Sequence, residues 1–103
     1  MVQDYGNKPF NEILSENQNV VVQYYADWCG PCQMLKPVLE QISNEMDDVE
    51  FVRVNIEDHR ELAVEAGVQS IPTVLFFKDG KETDRSVGFK PKQKVEEWIN
   101  SQK

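Results

Sequence analysis

Apolar residues recur along the chain at two periods, and the periods alternate. From Lys8 to Glu16, Phe10, Ile13 and Leu14 fall on one helical face, with Asn7 placed to cap it. The run "NVVVQYYA" at Asn19–Ala26 is rich in β-branched and aromatic residues and predicts a central buried strand. Leu35, Val38, Leu39, Ile42 and Met46 recur at helical spacing, so a long helix is expected to about Glu45. Pro37 lies inside it and should kink it, because it removes a donor and crowds the preceding turn.

"EFVRVNIE" at Glu50–Glu57 alternates like a strand, and Glu61–Ala66 reads as a short helix stopped by Gly67. "TVLFF" at Thr73–Phe77 and "KDGK" at Lys78–Lys81 give a strand and a turn, with a return strand through about Gly88. Lys92–Ser101 then sets Val95, Trp98 and Ile99 on one face of a last helix, with Pro91 near its start. With room for a short first strand, the order is αβαβα followed by ββα. The early alternation implies parallel strands with right-handed crossovers, and the late hairpin adds antiparallel ones. An α/β fold is expected, with a mixed sheet of four to five strands and helices on both faces.

Composition narrows the function more than the fold. A chain of 103 residues suits one domain over residues 1–103, and 40% apolar content is ordinary for a globular protein. A net charge of −7 argues against a nucleic-acid partner, which needs clustered Lys and Arg. No apolar run approaches the roughly 20 residues of a membrane span. The opening "MVQDYGNKPF" lacks the basic end and apolar stretch of a secretory signal, so the expected location is the cytoplasm.

Both cysteines lie in "WCGPC" at Trp28–Cys32. A structural staple is disfavoured, since a bridge between neighbours three apart removes little chain entropy. A zinc site needs about four ligands. Beyond the pair there is one histidine, His59, and no third cysteine, which leaves only an ion or cluster shared between chains. No metal and no cofactor are therefore expected. The remaining reading is a redox pair, as a Cys-x-x-Cys beside a βαβ pattern suggests.

The pair sits where a buried strand hands over to a helix. Cys29 should occupy the first helical turn, where free N–H groups and the helix dipole favour a thiolate. Cys32 follows one turn later, more buried and close enough for a disulfide. Gly30 lets another backbone approach, and Pro31 fixes φ and suits a helix start. Trp28 beside an exposed thiol reads as the rim of a groove more readily than as core. "SIPT" at Ser70–Thr73 puts Pro72 just before a central strand, where proline is normally excluded. A cis Ile71–Pro72 bond would explain this, although a trans proline in a tight turn is the commoner arrangement.

"ADWCGPC" with "QMLKP" after it, and then "SIPT", "FFKDGK" and "SVGF", resemble in order and spacing the landmarks of the thioredoxin family. The similarity runs from Phe10 to Trp98. It implies a thioredoxin fold and a protein-disulfide reductase with Cys29 as attacking thiolate and Cys32 as resolving thiol. It also implies a cis Pro72 facing them, and a substrate groove lined by Trp28, Ile71 and the Gly88 loop. The implied partners are disulfide-containing proteins and a flavin- and NADPH-dependent reductase, with the chain itself a monomer. A lowered cysteine pKa and a reducing poise come with the family and are not read from these residues. A rival in another class is a clamp-like binding module whose thiols are incidental. An oxidase or isomerase is a nearer rival, against which Gly30-Pro31 and the absent signal argue.

One position departs from the family. A buried Asp usually stands six residues before the first cysteine and assists deprotonation of the second; here that residue is Gln23. Arg53 stands where a lysine is usual, and Tyr25 where many members have Trp. An amide avoids burying a carboxylate but cannot take a proton from Cys32. Resolution is then expected to rely on water or the departing thiol, and to become fast only at higher pH.

Overall fold

The buried strand anticipated at Asn19–Ala26 is β2, Asn19–Tyr25, and every one of its residues is buried. It is the middle strand of a five-stranded sheet in the order β1-β3-β2-β4-β5. The computed structural model describes residues 1–6 and 8–103, so the predicted cap Asn7 lies outside the described residues. The other strands are β1 (Val2–Asp4), β3 (Glu50–Asn55), β4 (Thr73–Lys78) and β5 (Lys81–Val87). The helices are α1 (Phe10–Glu16), α2 (Gly30–Glu45), α3 (Arg60–Ala66) and α4 (Lys92–Gln102). As expected from the alternation, β1 and β2 run parallel to β3, while β4 is antiparallel to β2 and β5 to β4.

Side chains on a strand point alternately to its two faces, and β2 uses both. Val21 packs with Phe51, Val74 and Phe76 against Leu35, Leu39 and Ile42 of α2 and Val95 and Ile99 of α4. Val20, Val22 and Tyr24 pack with Val52, Val54 and Leu75 on the opposite face, beneath Phe10, Ile13 and Leu14 of α1 and Leu62 and Ala66 of α3. Two-sided burial is why β2 reads as a continuous apolar run rather than an alternating one. By the same alternation Gln23 and Tyr25 share the face of Val21. The parallel register sets Gln23 beside Arg53 of β3.

Two helix starts differ from the expected ones. A residue before proline is disfavoured in the helical region, and α1 accordingly begins at Phe10 rather than Lys8. The Pro9 carbonyl opens the helix by accepting from the N–H groups of Glu12 and Ile13. Helix α2 begins at Gly30, with Cys29 as its N-cap rather than inside its first turn. It runs unbroken through Pro37 to Glu45, although Pro37 cannot donate to the Gln33 carbonyl. Gly67 ends α3 in the left-handed conformation (φ 69°), where it has no Cβ penalty to bear.

Burial of Tyr24, only 1% exposed, pushes its phenol up to about 12, with the Glu82 carboxylate adding to the effect. An unfolded tyrosine ionises near pH ~10. Between that pH and about 12 the folded chain keeps a proton that the unfolded chain releases, so this contribution to stability is lost as pH rises. Tyr24→Phe should remove it. In denaturant titrations across that window, the unfolding midpoint of the parent is expected to fall further than that of the variant. Equal falls would contradict this reading.

Candidate redox site at the start of helix α2

β2 ends at Tyr25, and four residues later the chain reaches Cys29 at the mouth of α2. Cys29 and Cys32 form a disulfide, with their Cα atoms 5.2 Å apart. The Cys32 N–H donates to Cys29 Sγ at 3.2 Å, and the Cys29 N–H is tied to the Ala26 carbonyl at 3.2 Å. Cys29 thus caps the helix with sulfur in place of the usual oxygen. Pro31, in the first turn, has no N–H to leave unpaired there. Both cysteines are shielded by Tyr25 and Ala26 and by the flanks of Ile56 and Ile71. Cys32 is the more buried of the two, as expected, but Cys29, expected as an exposed thiol, is itself only 5% exposed because these neighbours cover it.

This cap can stabilise a charge on Cys29. Moving a thiol pKa from about 8.5 to neutrality takes about 2 kcal/mol. A helix terminus supplies roughly 0.3–1 kcal/mol, and a hydrogen bond to a charged group about 1.5–3 kcal/mol. Together they suffice; the dipole alone does not.

The remaining predicted residues lie at several places around the pair. Trp28 is 69% exposed and, with Ile71, lines a cavity of about 330 Å³ completed by Ile56, Ala63, Val68, Gln69 and Ser70. Trp28 is therefore a rim residue and not core. The Ile71–Pro72 bond is cis. Gly88 and Pro72 do not line that cavity. They are joined to each other, the Gly88 N–H (φ 87°) donating to the Pro72 carbonyl at 2.8 Å. Gly30 and Pro31 are exposed in the first turn of α2.

Gln23 lies beneath the pair, fully buried, and its Nε2 donates to the Cys32 carbonyl at 3.4 Å. Arg53 donates through Nε to Gln23 Oε1 at 3.4 Å, and its guanidinium lies 3.9 Å over the Tyr25 ring. Burial pushes the Tyr25 phenol up, with the Arg53 charge opposing the shift. Two participants were not legible in the sequence. Glu57 accepts from the Trp28 indole at 3.2 Å and fixes the rim, yet it stood as an ordinary strand-end carboxylate. Tyr25 serves as the platform for Arg53, which only the register reveals.

The thioredoxin profile matches residues 1–101. The chain belongs to the thioredoxin family. It is 45% identical over 100 residues to the thioredoxin of Chlamydia caviae, covering 97% of each chain. It is 44% identical over 89 residues to that of Mycoplasmoides gallisepticum, covering 86% of this chain and 89% of the relative. A mutant thioredoxin from Halobacterium salinarum superposes with a TM-score of 0.90 at 32% identity, covering 97% of this chain and 88% of the other. With the Cys29–Cys32 disulfide, thioredoxin membership makes the protein a thiol–disulfide oxidoreductase. Among the described residues no cluster of metal-ligating side chains is present, and no helix is long and apolar enough to cross a membrane.

Gln23→Asp tests the polarity beneath the pair. A carboxylate there is desolvated, so its pKa rises, and its stability contribution is lost as pH rises through that value. The variant is expected to unfold at lower denaturant than the parent at pH 7, with the gap narrowing toward pH 4 as the group protonates. Pairing with Arg53 offsets part of the loss. A midpoint at pH 7 equal to the parent's would refute the expectation.

Proposed function

We propose that the protein is a disulfide reductase for other proteins, in which Cys29 attacks and Cys32 resolves. The observation carrying this reading is the cap geometry: Cys29 Sγ accepts from the Cys32 N–H at the positive end of α2. Cys29 attacks a substrate disulfide, and one substrate sulfur leaves as thiol. Cys32 then attacks Cys29 Sγ, releasing the second substrate sulfur and closing the Cys29–Cys32 bond. Two protein thiols are oxidised as one substrate disulfide is reduced.

The groove beside Trp28 and Ile71 supports an extended substrate segment, and the cis bond after Ile71 carries the chain out of it to Pro72, whose carbonyl is held by the Gly88 N–H. Gly30 is exposed next to the nearly buried Cys29 and carries no side chain to obstruct an approaching chain, and Pro31 holds the first turn of α2. Family membership supports a redox partner that returns electrons to the dithiol, and the partner we infer is a flavin- and NADPH-dependent reductase. We infer further that residues 1–103 act as one monomeric domain in the cytoplasm, a reducing compartment that keeps such a pair poised to donate electrons. Neither a metal nor a cofactor is needed for this chemistry, since sulfur exchange is complete with the two cysteines.

Reduction of insulin by dithiothreitol, followed as turbidity, tests the assignment. Cys29→Ser is expected to lower the protein-dependent rate to the uncatalysed background. A variant that retains the parent's rate would sink the mechanism.

A further inference from the structure

Arg53 is the one charged side chain buried among the described residues, and the sulfur chemistry above makes no use of it. Its surroundings are only partly compensating. Its Nη1 lies 3.5 Å from Asp4 Oδ1 at the sheet edge, on a carboxylate whose side chain is 77% exposed. An exposed partner offsets little of the desolvation of a buried charge. The rest of the guanidinium is spent on the Tyr25 ring and on Gln23. Arginine has donors and no acceptor, so the Gln23 atom facing Arg53 is the oxygen. A backbone carbonyl has no donor, so the Gln23 atom facing Cys32 is the nitrogen. One amide orientation satisfies both contacts, and the flipped one satisfies neither.

We propose that Arg53 is a positioning residue for the resolving step, holding the Gln23 amide with its N–H toward the Cys32 turn so that this wall favours a thiolate on Cys32. The proposal rests on the reading that Cys29 attacks and Cys32 resolves. It deepens that reading, because a side-chain base is replaced by a fixed dipole backed by a buried cation. In the mixed disulfide, the Cys32 thiol gives its proton to water or to the departing sulfur. Its thiolate then attacks Cys29 Sγ, the Cys29–Cys32 bond forms, and the substrate sulfur leaves with the electron pair of the broken bond. Gln23 neither gives nor takes a proton. Of the ionisable groups, Cys29 at the cap of α2 and Tyr25 on β2 pack against Cys32, and Arg53 on β3, Asp4 on β1 and Asp27 in the turn before α2 act on Tyr25. Burial pushes the Tyr25 phenol up, so it stays neutral from pH 5 to 9.

The experiment uses the reduced full chain and an aromatic disulfide whose thiolate is coloured. A first burst reports attack by Cys29, and a second reports resolution by Cys32. Their rates are followed from pH 5 to 9. Arg53→Met is expected to raise the pH midpoint of the second burst by about one unit, slowing it relative to the first about tenfold below that midpoint. Arg53→Lys, which keeps a cationic donor, should restore the parent's midpoint. A folded Arg53→Met protein with the parent's second-burst profile overturns the proposal. Should that variant not fold, Gln23→Leu carries the test: a raised midpoint supports the proposal, and an unchanged one overturns it. A Cys29→Ser protein that still gives the first burst refutes the underlying assignment instead, and the proposal falls with it.

Discussion

Everything at this site depends on the double burial of β2. A strand covered on both faces cannot shift register by one residue without sending its apolar side chains into the wrong core. Val20, Val22 and Tyr24 hold one face and Val21 the other. That fixes where the strand ends, and hence where α2 begins and how its first N–H groups are aimed. Cys29 becomes the cap because the chain leaves a rigid strand at Tyr25 and enters the helix at Gly30. The same alternation brings Gln23 and Arg53 together under Cys32 rather than under α1 and α3.

Electrostatics at the two sulfurs are consequently built from different parts. Cys29 is served by backbone, through the Cys32 N–H and the helix dipole. Cys32 is buried, and its backbone carbonyl accepts from the Gln23 amide that Arg53 holds from the other side. A carboxylate at that position could accept a proton but would disfavour a neighbouring thiolate, and would itself have to be desolvated. The Gln23–Arg53 pair exchanges the first property for the absence of the other two. The burden moves to Arg53, whose desolvation is relieved by the Tyr25 ring and only weakly by Asp4.

Much of this was legible before the structure. The strands and helices follow hydrophobic periods strong enough to survive tertiary context, and the motif at Trp28–Cys32 lies at the expected strand–helix junction. Differences arose where a local rule competes with the period. Lys8 fits the apolar pattern of α1, yet its place before Pro9 keeps it outside the helix. The isomer of Ile71–Pro72 was not decidable from neighbouring residues, because trans is favoured intrinsically; only the family resemblance pointed to the cis form observed. The roles of Glu57 and Tyr25 were invisible, since each depends on a partner roughly 30 residues away in sequence that only the folded register supplies.

The central claim is that this dithiol donates electrons to protein disulfides. A redox titration of the Cys29–Cys32 pair against glutathione buffers tests it most directly, with the oxidised fraction read from tryptophan fluorescence or thiol alkylation. The account predicts a midpoint within or below the poise of a reducing cytosol, roughly −220 to −320 mV. A midpoint well above that range would mark the pair as an oxidant and contradict the account.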